Sequence, residues 1–368
     1  FTGIRSNVAP MSAGGKSGDI TLEATSILMK DIAHLETLTE SASAGGNITL
    51  TAAQNIETQS IFANISAGSA NGGNAGHIAL VSTGGGILLK GAFITSQATQ
   101  SEETFGLNIL SAGHSGNIAV SAPHGHVILT QQSFIFNTAD GTTGSLGKVE
   151  VTAQNLTLHG GSFIEGDNLT PQPPDNITVT LSDRLSLDGS SGIVTNAWRS
   201  APAADLTIMA PQIEVTEGSR LSAETFQSGQ GGKLNLYTDR LQVTSSGQIR
   251  SGSSLFPFDP PDGISLIPSG AGGTITVQSP TGPAQSIVID GVRSGIFTDA
   301  QGTGAGGNIN LAARSIAVQN GGTVSASTSG IEPTAAGGHI SIMATQSATL
   351  NNGAAISSGS TGPANAGN

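Results

Sequence analysis

The sequence predicts an all-β fold, a right-handed parallel β-helix with three short strands per coil, about eleven coils and uncapped ends. Three observations predict it. A small-residue turn followed by apolar–x–apolar recurs eleven times along the 368 residues. The apolar residues alternate with period two, which puts one strand face inward and the other outward. The ten intervals from Ile20 to Ile340 cover 320 residues, a mean of 32, which is a stacked-repeat period.

The first strand of each coil reads Gly18-Asp19-Ile20-Thr21-Leu22, then Gly46-Asn47-Ile48-Thr49-Leu50, and recurs as far as Gly338-His339-Ile340-Ser341-Ile342. A second strand follows, as in Leu156-Thr157-Leu158, Ile213-Glu214-Val215 and Ile316-Ala317-Val318. A third comes after a glycine turn, as in Gly161-Ser162-Phe163-Ile164 and Gly218-Ser219-Arg220-Leu221. The strands are too short for a sandwich, and no helical period separates them, which excludes βαβ folds. Stacked coils pair their backbones about 4.8 Å apart, so eleven make a rod roughly 50 Å long. Glycine at the corners is expected to supply φ > 0. Asn47, Asn117, Asn176 and Asn308 share one turn position and are expected to stack as a hydrogen-bonded structural ladder.

Composition supports order and excludes several functions. The chain has 52 Gly and only 4% aromatic residues, but it is 36% hydrophobic and 10% charged. Disordered chains carry more charge and less Ile, Leu and Val. Net charge is −12, and the 13 basic residues are scattered, which argues against nucleic acid and against an anionic membrane surface. No apolar run reaches the ~18 residues of a membrane-spanning helix, so no membrane insertion is expected. There is no Cys, which rules out thiol catalysis and Cys-ligated metals.

Residues 1–368 read as a single repeat array cut from a longer chain. The array opens on a third-strand pattern, Gly3-Ile4-Arg5, and closes on Ala366-Gly367-Asn368, the turn that would begin another coil. Solenoids need polar caps, so further coils or end-to-end copies are expected. Two repeats run long, 40 residues from Ile78 to Ile118 and 41 from Leu234 to Ile275. The insertions fall at about 95–115 and 251–272 and carry Phe105, Phe256 and Phe258. Loop aromatics of this kind can anchor a partner or a sugar, and these three are the candidate binding residues. The plainer reading folds them back onto the neighbouring sheet.

No catalytic site is expected. Polysaccharide-active β-helices need clustered carboxylates. The outward column of the first strand, from Thr21 and Thr49 to Asn310 and Ser341, contains one acid, Glu150. Glu57 and Glu214 lie far apart, and Glu165 and Arg220 read as isolated. His114, His124 and His126 share a coil, but a transition-metal site needs three or four converging ligands. His77 and His339 take the turn position that Asn holds elsewhere. No metal or cofactor is expected.

At this point the residues resemble a known family. Gly304-Ala305-Gly306-Gly307-Asn308-Ile309-Asn310-Leu311, followed by Ile316-Ala317-Val318-Gln319-Asn320-Gly321-Gly322-Thr323-Val324, looks like the filamentous-haemagglutinin-like exoproteins of two-partner secretion, most of all the cyanobacterial ones. The family's secretion domain, with its Asn-Pro-Asn-type motifs, is not in this segment. The resemblance implies an outer-membrane partner transporter and a secreted or outer-surface location. It also implies a fibre protein for adhesion, aggregation, or biofilm or sheath formation. Self-association into fibres and cell-surface or matrix glycans are the other partners expected. The alternatives are a polysaccharide-active enzyme on the same fold and a stalk presenting a distal toxin or binding domain. Ice binding would need regular Thr ranks, which the mixed outward column lacks.

Overall fold

The computed structural model describes residues 2–9, 15–59, 62–70, 72–99, 113–255, 268–330 and 332–368. Among them it is all-β, with no helix, and its strands wind into a parallel β-solenoid of about eleven coils. They divide into two compact units, Phe1–Thr180 and Leu181–Asn368.

In the first unit each coil is laid in register on the one before. The first strands align Ile20, Ile48, Ile78, Ile118 and Val149. The second strands align Ile27, Ile56, Ile87, Val127 and Leu156. The third strands align Ile4, Leu35, Ile65, Ile94, Ile135 and Ile164. The second unit repeats the arrangement with Leu206, Leu234, Ile275, Ile309 and Ile340 in its first column. Its third column is Ile193, Leu221, Ile249, Ile296, Val324 and Ile356. The inward positions are sealed: Ile48, Ile56 and Ile65 are each 0% exposed. Each such side chain contributes about 1.5–3 kcal/mol by leaving water.

Two details differ from the expectation. The first and second strands are separate in some coils but merge in others, as in Ile118–Thr130, Val149–Leu158 and Asn308–Gln319. Where they merge, the corner is a bend in one strand, not a turn between two. The other concerns glycine. Gly46, Gly76 and Gly116, at the turn before the first strand, are absent from the positive-φ residues. They are needed for contact instead: a Cβ on Gly76 would strike the carbonyl oxygen of Gly46, and one on Gly116 that of Gly76. Positive φ sits at the corner between second and third strands, at Gly160, Gly161, Gly218 and Gly321.

Polar groups inside the coil are used to close its corners. Ser133 and Ser162 are 0% exposed; Ser133 Oγ donates to the Thr130 carbonyl (2.7 Å) and Ser162 Oγ to that of His159 (2.9 Å). Asn137, also 0% exposed, donates through Nδ2 to the carbonyls of Gly116 (2.9 Å) and Gly147 (3.0 Å). Thr195 Oγ1 does the same for Ala204 (2.8 Å) in the second unit. Buried carbonyls left unpaired would each cost about 1–3 kcal/mol.

Ile65→Ala should lower the urea-unfolding free energy by about 2–5 kcal/mol, because the column cannot collapse around the void. Thr49→Ala, on the outward face of the same coil, should change it by under about 0.5 kcal/mol. Circular dichroism during urea titration checks both, and equal effects would contradict the assigned faces.

Candidate functional site

Most of the solenoid surface is a set of columns, one residue per coil. The turn column before the first strand is the one the sequence singles out. There the Asn47 amide N–H donates to Asp19 Oδ1 (2.8 Å), and the His77 N–H donates to Asn47 Oδ1 (2.9 Å). The Asn117 N–H donates to His77 Nδ1 (2.8 Å), and the Lys148 N–H to Asn117 Oδ1 (3.1 Å). In the second unit the Lys233 N–H donates to Asp205 Oδ1 (2.7 Å), and the His339 N–H to Asn308 Oδ1 (3.3 Å). These bonds run from side-chain acceptor to the next coil's backbone N–H, not amide on amide. Asp, Asn and neutral His all supply an acceptor, which explains why they interchange here. Asn176 belongs to the same position, and its carbonyl accepts from the Val149 N–H (3.2 Å).

A true side-chain ladder occurs at the other corner. Asn352 Nδ2 donates to Asn320 Oδ1 (3.0 Å), and Asn320 Nδ2 to Asp290 Oδ1 (2.8 Å). Gln319 Nε2 donates to Asp290 Oδ2 (2.9 Å). The hydrogen bond from Gln319, then that from Asn320, hold the Asp290 carboxyl below its usual 3.8, against a small opposing effect of burial.

The histidine trio does not converge. His114 Nδ1 faces Ser145 Oγ (2.7 Å), and His126 Nδ1 faces Asn155 Nδ2 (3.0 Å). Among the described residues no three His, Asp or Glu are grouped to hold a metal ion. Phe105, Phe256 and Phe258 lie outside the described residues. The third strand Ala92–Thr99 covers the start of the first expected insertion.

The outward face of the third strands holds what sequence reasoning missed. In the first unit Phe93, Phe134 and Phe163 occupy one column. Their rings stack with centroids 5.5 and 5.9 Å apart and planes inclined by 14° and 12°. The ring of Phe134 is stacked between its two neighbours, and each stack adds about 0.5–1.5 kcal/mol. In the second unit Glu224, 8% exposed, accepts from Arg250 Nε (3.0 Å) and Ser254 Oγ (2.6 Å). Arg250 also lies over the Phe297 ring at 5.3 Å. Asp299 accepts from the Ser325 hydroxyl (2.5 Å) and the Ser327 N–H (2.7 Å). In each carboxylate a single oxygen, Glu224 Oε1 or Asp299 Oδ1, takes both of these structural hydrogen bonds. Glu165 and Arg220, expected to be isolated, each have an interaction partner.

No protein-family model and no curated protein matches the chain.

The lowered Asp290 carboxyl has a pH consequence. Its hydrogen bonds favour the charged form in the folded state, so the stability they contribute is present above the unfolded value of 3.8 and is lost as pH falls through the lower folded value. Unfolding by urea should therefore become easier as acid is added across that window. Asp290→Asn should flatten this dependence; an unchanged acid limb in the variant would contradict the assignment.

Proposed function

We propose that this chain is a structural and adhesive repeat segment of a bacterial surface or fibre protein, working outside the cell. The observation that carries the reading is the chemistry of the outward columns. In the first unit the first-strand column is Thr21, Thr49, Ala79, Ala119 and Glu150. In the second it is Thr207, Asn235, Thr276, Asn310 and Ser341. These are short, mostly neutral side chains, repeated coil after coil, and the one acid pairs with Lys148 at 2.9 Å. A surface of this kind is a scaffold that resists aggregation through polarity while offering many weak, equivalent contact points. The resemblance of the repeats to filamentous-haemagglutinin-like exoproteins supports the same reading. On it, an outer-membrane β-barrel partner exports the chain, which folds outside by adding coils in sequence.

Immunogold electron microscopy on intact producing cells, with antibody raised to this segment, tests the proposal. Gold on fibres or sheaths beyond the outer membrane is the expected result. Gold confined to the cytoplasm or periplasm would overturn export. Release into the medium with no surface label would overturn the adhesive role.

A further inference from the structure

The corner between first and second strands is short in most of the second unit and long in one coil. From Leu206 to Ile213 and from Leu234 to Leu241 there are seven steps, whereas Ile275 to Ile287, at the same register, takes twelve. The five extra residues make a small projecting turn, closed by the Ser279–Gly282 bridge, with Gly282 at φ 147°. The turn walls one side of a cleft of about 310 Å³. Met209, Pro211, Tyr237 and Asp239 line it from the two coils before, and Ser279 and Pro280 from the turn itself.

The lining is divided by chemistry. Tyr237 is the only tyrosine of the chain and sits half-exposed on an outward position, in register with Met209, which is 38% exposed. Ring, thioether and prolines supply the apolar part of the lining. Asp239 is fixed beside it: Oδ1 accepts from Ser279 Oγ (2.8 Å), and its carbonyl accepts from the Gln285 (2.8 Å) and Ser286 (3.1 Å) N–H groups. Asp239 Oδ2 and Tyr237 Oη have no hydrogen-bond partner among the described residues. A small cleft with an aromatic platform and a few fixed polar groups is the usual form of a small-ligand site.

We infer that this cleft is a binding subsite for one neutral sugar ring. The C–H face of a pyranose matches the Tyr237 platform, and its hydroxyls can donate to Asp239 Oδ2 and pair with Tyr237 Oη. A neutral ring is favoured over a cation because one carboxylate oxygen is already committed and Arg240 follows directly in sequence. Among the described residues Asp239 is the only carboxylate lining the cleft, whereas glycoside hydrolysis generally uses a pair, so the site is assigned to binding without cleavage. That the sugar is part of a surface glycan rests on the extracellular reading above; the binding itself does not.

The test uses the full chain labelled with fluorotyrosine, which places a single fluorine resonance at Tyr237. Methyl glycosides of glucose, galactose and N-acetylglucosamine are titrated separately, with N-acetyl-lysine amide as the cationic probe. At least one glycoside should shift the resonance to saturation, with Kd on the order of 1 mM. Asp239→Asn should weaken that binding about tenfold. Pro280→Ala, on the exposed rim, should weaken it in the same direction without disturbing the coil. No saturable shift with any glycoside up to roughly 50 mM, far above the expected Kd, overturns the proposal. So does a response to the lysine probe alone, or an Asp239→Asn chain that binds as tightly as its parent. None of these outcomes depends on where the protein resides, so a failed titration leaves the surface location standing, and a failed immunogold result leaves the subsite standing.

Discussion

Everything in this structure depends on one constraint: a coil of three short strands cannot satisfy its own backbone. Its N–H and C=O groups point along the stacking direction, and only another coil at strand spacing can pair them. Once that coil is present, residues at equivalent positions are forced into columns about 4.8 Å apart. The sequence must then supply at each position a residue that tolerates its own kind, or a compatible substitute, immediately above and below. Ile, Leu and Val do so inside. Glycine does so where backbones approach so closely that a Cβ at Gly76 or Gly116 would strike the coil before. Asp, Asn and His do so at the turn, because each gives the next coil's amide an acceptor.

The same constraint shapes function. A repeated surface carries little chemistry at any one point, since large or charged side chains stacked at this spacing must neutralise or shield each other. Arg250 between Glu224 and Phe297 is one solution, and the Phe93–Phe134–Phe163 stack is another. Distinctive chemistry arises where a coil departs from the pattern. The projecting turn after Gln278 is such a departure, and it encloses the one cleft discussed above, with Tyr237 and Asp239 at its wall.

The fold was legible in the sequence because period-two alternation and a period near 32 leave few architectures, and the columns fall where the repeat places them. The site was less legible, for physical reasons. The turn ladder was visible as a position, but its hydrogen bonds go to backbone, which composition alone does not reveal. Phe93, Phe134 and Phe163 each precede an inward Ile, and this shared offset from Ile94, Ile135 and Ile164 was the available signal. The Glu224–Arg250 pair joins residues 26 apart, and it emerges only once the coils are in register. The cleft turn was hidden by averaging: a repeat of 34 residues from Ile275 to Ile309 is close to the mean, although its extra length sits at a single corner.

In-register stacking can be measured directly in this cysteine-free chain. Thr21 and Glu150 are both exposed, on the same outward column of the first unit, four coil steps apart. Nitroxide labels on Thr21→Cys and Glu150→Cys should give, by double electron–electron resonance, one narrow distance distribution near 20 Å, four strand spacings of about 4.8 Å. A broad distribution centred beyond about 30 Å would mean that these strands do not stack at strand spacing, and the columns described above would not exist.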